Sequence, residues 1–168
     1  MVLDFYIAFV IVMFPNPQLS SFSSTTMQKY CYDFEYIGLR FDPEFFGKLP
    51  DEVYPHIPSD ANVHADHITC LHHSQIERDG AENVLINFIE DVVVRRNLMS
   101  EVKFTHIGIS NKAIALKAEL EVPCMNDIPH CTIATFNGGK PKDSNAIVDW
   151  IPLEKPFTAH AEWFIQCW

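Results

Sequence analysis

A three-residue pattern, His-x-Thr, occurs twice in this chain and constrains its fold more than any other feature. The first copy is His67-Ile68-Thr69 and the second is His130-Cys131-Thr132. Each copy lies in a short apolar run with β-branched residues, which predicts a β-strand. Side chains alternate between the two faces of a strand, so the His and Thr of each copy are expected on one face and the residue between them on the other. The two strands must come together if the four polar side chains are to form one site.

The size and charge of the chain limit the classes of protein to which it can belong. Its 168 residues, 48% of them apolar, are sufficient for one folded domain with a sizeable core. The net charge of −10 weighs against a long nucleic acid as partner, because such surfaces neutralise many phosphates with Lys and Arg. A small nucleotide needs only a few local donors and is compatible with this charge. The five cysteines show no paired spacing, which favours reduced thiols and a cytoplasmic protein.

The first 26 residues comprise an apolar segment and a Ser/Pro-rich linker, and they precede the predicted domain, which we place at residues 27–168. The apolar stretch at the start is interrupted by Asp4 and is too short for a bilayer span of about twenty residues. A secretory signal is disfavoured because no basic residue precedes Lys29 and the segment after the stretch offers only Ser and Thr for a small-residue cleavage site. We therefore expect no membrane association. The stretch is either a packed strand or an extension upstream of a natural start at Met27.

The remaining patterns predict an α+β fold with about seven strands and one long helix. The helix is expected in residues 81–98, where apolar side chains recur at helical spacing. Strands are predicted at 30–41, 65–73, 102–109, 112–122, 130–136, 145–153 and 157–168. Each motif strand then has neighbouring strands of its own. A two-lobed arrangement would place the two motifs across a cleft.

The residue types of the two motifs suit acid–base chemistry at phosphorus. An imidazole titrates near neutral pH, so two facing His side chains can divide the work of general acid and general base without a metal ion. A Thr hydroxyl beside each His can donate to a phosphoryl oxygen as negative charge builds there. We therefore predict that His67, Thr69, His130 and Thr132 are the catalytic residues, with no metal and no cofactor.

These motifs resemble the two-histidine (2H), or LigT-like, phosphoesterases, a group that includes tRNA-ligase cyclic phosphodiesterase domains and small viral enzymes that degrade nucleotide signals. The family pattern is His-x-Thr/Ser followed by an apolar residue, and Cys70 is an unusual occupant of that last position. The resemblance covers most of residues 30–168. It implies a bilobal fold of two antiparallel sheets related by a pseudo-twofold axis, with a central groove and helices on the outside.

The same resemblance implies metal-independent cleavage of phosphodiesters that involve a ribose 2′ oxygen. Together with the acidic charge, it leads us to expect a small 2′-linked substrate such as 2′,5′-linked cyclic GMP–AMP or 2′,5′-oligoadenylate. The oligomeric state does not follow from the sequence, and a monomer is our expectation. Opening of 2′,3′-cyclic phosphates at RNA ends is the alternative within the enzyme class. A nucleotide-binding module without turnover is the alternative from a different class.

Six further residues are candidates for substrate binding. Their strand faces or loop positions put them near the expected groove. The aromatic residues could instead pack in the core, and the two Lys side chains could belong to a solvated loop. The candidates are Tyr36, Phe41, His73, Phe136, Lys140 and Lys142.

Strand alternation disfavours two other chemistries, a zinc site and a cysteine nucleophile. Zinc is suggested by the types of residue near the motifs, but His64 and Cys70 should face away from His67, and no C-x-x-C pair occurs. Cys131 as a nucleophile should likewise point away from His130, which favours a buried structural thiol.

Overall fold

Antiparallel β-strands dominate the computed structural model, which describes residues 34–168. The strands are β1 Phe34–Arg40, β2 Asn62–Val63, β3 His67–His72, β4 Met99–Ile109, β5 Ala113–Leu120, β6 His130–Thr135 and β7 Trp150–Cys167. Their order in the sheet is β2-β6-β3-β1-β7-β4-β5, and β5 also pairs with β6. This last pairing closes six strands into a barrel and leaves β2 on the edge of β6.

The expected α+β fold, with two antiparallel sheets and helices on the outside, is wrong. The described residues form a mostly β structure with a single α-helix, α1, at Ala81–Ile89. Short 3-10 helices occur at Phe45–Lys48, Tyr54–His56, His73–Gln75 and Pro141–Ala146. Period-two patterns identify strands but do not say which strands pair, and the β5–β6 and β3–β6 pairings join both motif strands in one closed sheet.

The helix is confirmed near its predicted start but is shorter than its apolar pattern. Val84 and Phe88 are buried as expected, and Phe88 packs edge-on against the ring of Trp163. After Ile89 the chain continues as a π-helix, Glu90–Val94, within which Asp91 accepts a hydrogen bond from the Trp163 indole at 3.0 Å. No helix in the described part of the chain is long and apolar enough to span a membrane. The predictions made for residues 1–26 lie outside the described residues.

The two closing strands predicted from sequence form one long strand, β7, with an irregularity in the middle. Phe157 lies opposite Phe104 on β4, whereas the next paired residue, His106, lies opposite Pro152. The extra residues on β7 form a bulge, which lets a strand bend without losing its partner. One strand can therefore pair with β4 along its length and with β1 near its end.

A tight backbone approach holds β1 against β3. Ile37 and Leu39 of β1 are fully buried in the core, whereas Gly38 lies between them on the opposite face. A Cβ atom at Gly38 would overlap the carbonyl oxygen of Ile68. Glycine is required here because the two backbones leave no room for a side chain, and this close approach brings the first motif strand beside β1.

Candidate active site

The two H-x-T triplets lie on neighbouring strands and are paired through their central residues. Ile68 of β3 and Cys131 of β6 are direct antiparallel partners, and both side chains are fully buried. The two strands run in opposite directions, so the His of each triplet lies opposite the Thr of the other. Opposed side chains on one face of an antiparallel pair are about 5 Å apart at Cβ. The predicted alternation is confirmed within the two triplets, but the motifs are adjacent in one sheet rather than separated by a cleft between lobes.

All four predicted catalytic side chains line one groove with a volume of about 680 Å³. Its positive charge comes from Arg78, Lys140 and Lys142, and its carboxylates are Glu35 and Asp66. Arg78 follows the first motif strand, whereas the two Lys side chains follow the second. The groove therefore gathers cations around the motifs although the whole chain carries a net charge of −10.

His67 is the more open of the two motif histidines, with 24% of its side chain exposed. Its Nδ1 donates to the carboxylate of Asp66 at 2.9 Å, and this hydrogen bond lowers the pKa of Asp66 against the opposing effect of burial. Tyr36 stacks on the imidazole with ring centroids 4.9 Å apart, and Phe164 meets it edge-on. The ring is thus fixed in orientation, and Nε2 is the nitrogen that can exchange a proton in the groove.

His130 is buried, with 8% of its surface exposed. Its Nδ1 donates to the carbonyl oxygen of Ile128 at 2.7 Å, because a carbonyl can only accept. Burial lowers the pKa of His130, and the nearby charge of His67 lowers it further, while the Ile128 contact acts in the opposite direction. The neutral ring therefore carries its lone pair on Nε2.

Ser144 is a site residue that the sequence analysis missed. It lies in the 3-10 helix Pro141–Ala146 and is 2% exposed, although it lines the groove. Its hydroxyl oxygen lies 2.9 Å from Nε2 of His130 and 2.8 Å from Oγ1 of Thr132. No local pattern distinguishes Ser144 from other loop serines, because its role depends on the loop folding back over the second motif strand.

A β-bulge decides which histidine after the first motif reaches the groove. On β1, Gly38 pairs with Thr69 and Ile37 pairs with Leu71, so Cys70 is an extra residue on β3. The extra residue reverses the alternation beyond it. His72 therefore lines the groove, contrary to the expectation from strict alternation, and His73 does not. The ring of His73 instead lies near those of Phe34 and Trp168.

The other candidate binding residues divide between the groove and the core. Tyr36, Lys140 and Lys142 line the groove. Phe41 is buried and stacks on Phe45 with ring centroids 4.2 Å apart, away from the groove lining. Phe136 packs against the hydrophobic core and is also outside the lining. Both phenylalanines take the alternative role that their sequence context allowed.

Several groove residues outside the motifs carried only weak sequence signals. His64 was expected to face away from His67, which is wrong: it lines the same groove, because the backbone between them is not extended and Ala65 has a φ of 49°. Its Nε2 lies 2.9 Å from Oγ1 of Thr135. Asn126 donates to the carbonyl oxygen of Thr69 at 3.2 Å and so supports the first motif strand. Arg78 lies in a polar turn, where a single cation is ordinary. Only their positions beside the groove identify these side chains.

The cysteines near the motifs, Cys70 and Cys131, are buried and have raised pKa values, as expected of structural thiols. Burial raises the pKa of Cys131 far above its ordinary value, which disfavours the thiolate that a nucleophile requires. Cys70 is buried and hydrogen-bonded to Cys124, and this contact raises the pKa of Cys70. Within residues 34–168, no group of three or more His, Cys, Asp and Glu side chains is arranged to hold a metal ion.

Comparison with known proteins identifies a similar fold. No protein-family model matches the chain, and no curated protein matches its sequence. Among solved structures, the crystal structure of a fungal RNA kinase matches with a TM-score of 0.55 and 12% sequence identity. The match covers 96% of this chain and 57% of the kinase chain. The chain thus spans less than two thirds of its structural neighbour, and at this identity the likeness concerns the fold alone.

Proposed function

We propose that this protein is a metal-independent phosphodiesterase of the 2H type, in which His67 and His130 act as acid and base and Thr69 and Thr132 bind the phosphate. One observation carries the proposal: the Ile68–Cys131 pairing brings both triplets to a single groove with their polar side chains on one side. Donors from both triplets around one phosphate-sized space suit stabilisation of a phosphoryl group during in-line displacement.

The environments of the two histidines support different roles. Burial favours the neutral form of His130, which suits a base that begins the reaction with its lone pair on Nε2. His67 contacts the Asp66 carboxylate at 2.9 Å, which suits an imidazolium that gives up its Nε2 proton. In this assignment His130 receives the proton of the attacking hydroxyl, and His67 protonates the departing oxygen.

For the substrate we propose a small ribonucleotide with a 2′-linked phosphodiester, such as 2′,5′-linked cyclic GMP–AMP or 2′,5′-oligoadenylate. The neighbouring 3′ hydroxyl of such a linkage can attack phosphorus, forming a 2′,3′-cyclic phosphate as the 5′ oxygen of the next nucleotide leaves. The cations Arg78, Lys140 and Lys142 around the groove suit a phosphate-bearing ligand. The net charge of −10 favours a short ligand over a long RNA.

A second candidate is the opening of 2′,3′-cyclic phosphates at RNA ends. The fold shared with an RNA kinase favours it, because that protein acts on RNA. In this reaction water replaces the ribose hydroxyl as the nucleophile, and the same two histidines can serve.

The proposal is tested with a panel of phosphodiesters incubated with purified protein in EDTA. The panel contains 2′,5′- and 3′,5′-linked dinucleotides, both cyclic GMP–AMP isomers and an RNA with a cyclic-phosphate end. We expect turnover of 2′-linked small nucleotides in EDTA, and none by a His67→Ala/His130→Ala double variant purified in the same way. Turnover of the RNA end alone selects the second candidate.

Two results would contradict the proposed chemistry. If none of the substrates is turned over but nucleotides bind in the groove, the protein is a binding module. If activity is lost in EDTA and restored by zinc, the reaction depends on a metal.

A further inference from the structure

The hydroxyl of Ser144 lies where a substrate group would otherwise contact Nε2 of His130. Its Oγ lies 2.9 Å from Nε2 of His130, 2.8 Å from Oγ1 of Thr132 and 2.6 Å from the carbonyl oxygen of Pro141. Nδ1 of His130 is committed to Ile128, so Nε2 is its only nitrogen available for proton exchange. Any proton that reaches His130 in this arrangement must therefore pass Ser144.

The donors and acceptors of these groups allow two arrangements of the network. A serine hydroxyl has one proton to donate and lone pairs to accept with, and a carbonyl oxygen only accepts. With His130 neutral, the one Ser144 proton is shared between Nε2 of His130 and the carbonyl oxygen of Pro141, and Thr132 donates to Ser144. With His130 charged, Nε2 donates to Ser144, and Ser144 donates to Pro141. The Ser144 hydroxyl thus reverses its direction when His130 gains a proton.

We propose that Ser144 is a catalytic proton carrier between His130 and the groove. This inference rests on the proposed function. When substrate binds, Thr132 turns its proton from Ser144 to the phosphate, and the attacking hydroxyl takes its place as donor to Oγ of Ser144. As the attacking hydroxyl forms its bond to phosphorus, its proton passes to Oγ of Ser144, while the proton of Ser144 passes to Nε2 of His130. Ser144 ends the step as a neutral hydroxyl that donates to Pro141, and His130 ends it as an imidazolium. One proton enters the pair, and none is created or lost.

The other groups around His130 do not replace this contact. His67 lies near enough on β3 for its charge to act on His130, and Lys117 is the partner of His130 on β5. The charge of His67 opposes an imidazolium at His130, and a Lys side chain can only donate, so neither residue supplies an acceptor for Nε2. The Trp150 ring on β7 lies 6.1 Å away by centroid. Within the described part of the chain, Ser144 is thus the hydrogen-bond partner of Nε2, and it accepts when that nitrogen carries a proton.

The coupling is tested first without any substrate, by NMR titration of the ring nitrogens in ¹⁵N-histidine-labelled protein. Ser144→Ala removes the acceptor for the buried imidazolium, and a charge-assisted hydrogen bond stabilises more than a neutral one. The pKa of His130 should therefore fall further, by about one unit. Ser110→Ala is the matched control, because Ser110 also makes side-chain hydrogen bonds within a turn but lies outside the groove lining. It should leave the His130 titration unchanged.

The carrier role is tested by kinetics on a substrate that the wild-type protein turns over. Ser144→Ala should lower kcat by roughly ten- to a hundredfold with little change in KM. The rate should also be measured in mixtures of H₂O and D₂O and plotted against the fraction of D₂O. The wild-type plot should be curved, because two protons move in one step, and the Ser144→Ala plot should be a straight line.

These measurements separate the inference from the function on which it rests. If no phosphodiester is turned over, the proposed function fails. The NMR titration still decides whether the hydrogen bond between Ser144 and His130 stabilises the protonated imidazole. An unchanged His130 titration in Ser144→Ala overturns the inference. A shifted titration with unchanged kcat overturns it as well, because the contact would then have no part in the reaction.

Discussion

Ile68 lies directly opposite Cys131 in the antiparallel pair of β3 and β6, so that the central residues of the two H-x-T triplets are paired. The pairing explains how motifs far apart in sequence share a groove. It also makes the site depend on the backbone register of two strands, because a slip of one residue would turn the polar side chains toward the core.

Removal of either motif histidine should abolish most of the activity. His67→Ala and His130→Ala are each expected to lower kcat/KM by at least two orders of magnitude, on the scale typical of general acid–base catalysis. His160→Ala, on an exposed position of β7, is the matched control and should behave as the wild-type protein. The measurement is steady-state turnover of the substrate identified by the panel. A His130→Ala variant with a near-normal rate would refute the pairing of the two residues.

The activity should persist at pH values below the ordinary titration range of histidine. Burial lowers the pKa of His130, so a reaction that needs this ring neutral should lose rate only as the pH falls below about 6.5. The acidic limb of the kcat/KM profile measures this. A limb centred above pH 7 would contradict His130 as the base.

The same shift predicts how the stability contribution of His130 depends on pH. The unfolded chain takes up a proton at this residue near pH 6.5, whereas the folded chain takes it up only at lower pH. The free energy of unfolding should therefore be level above about pH 6.5 with respect to this group and should fall below it. Urea unfolding of wild type and His130→Gln across this range isolates the contribution. An equal pH dependence in the two proteins would contradict the lowered pKa.

A methyl group at Gly38 should destabilise the barrel next to the first motif. The added Cβ would overlap the carbonyl oxygen of Ile68, which is backbone and cannot rotate away. We expect Gly38→Ala to lower the free energy of unfolding by about 1–3 kcal/mol, measured by urea denaturation. Gly47→Ala is the control, because a Cβ there meets no atom within 4 Å. Equal stability of the two variants would show that β1 and β3 are less closely packed than described.

Loss of the cations after the second motif should weaken substrate binding more than catalysis. Lys140→Ala/Lys142→Ala is expected to raise KM by roughly threefold to thirtyfold with little change in kcat, because exposed charges contribute modestly to binding. The effect should shrink as salt is added. Lys103→Ala removes a cation outside the groove lining that is paired with Glu119, and serves as control. An unchanged KM in the double variant would remove these side chains from the binding surface.

The strands that carry the motifs could be predicted because their signal is local. Alternation placed Ile68 and Cys131 in the core and the His and Thr side chains on the other face, as the structure has them. The fold could not be predicted in the same way, since the β5–β6 pairing that closes the barrel leaves no periodic mark in either strand. Resemblance to a known family led instead to two separate sheets, which was wrong.

One part of the candidate site could be predicted from local sequence patterns, and the other part depends on tertiary contacts. The sequence alone determined the four motif side chains and the face on which each pair lies, because alternation depends only on the geometry of an extended chain. Tertiary structure decided the rest. Because of the bulge at Cys70, His72 lines the groove and His73 does not. The 3-10 helix after the second motif brings Oγ of Ser144 to 2.9 Å from Nε2 of His130. Both outcomes depend on contacts between segments distant in sequence, whose packing energy no local pattern records.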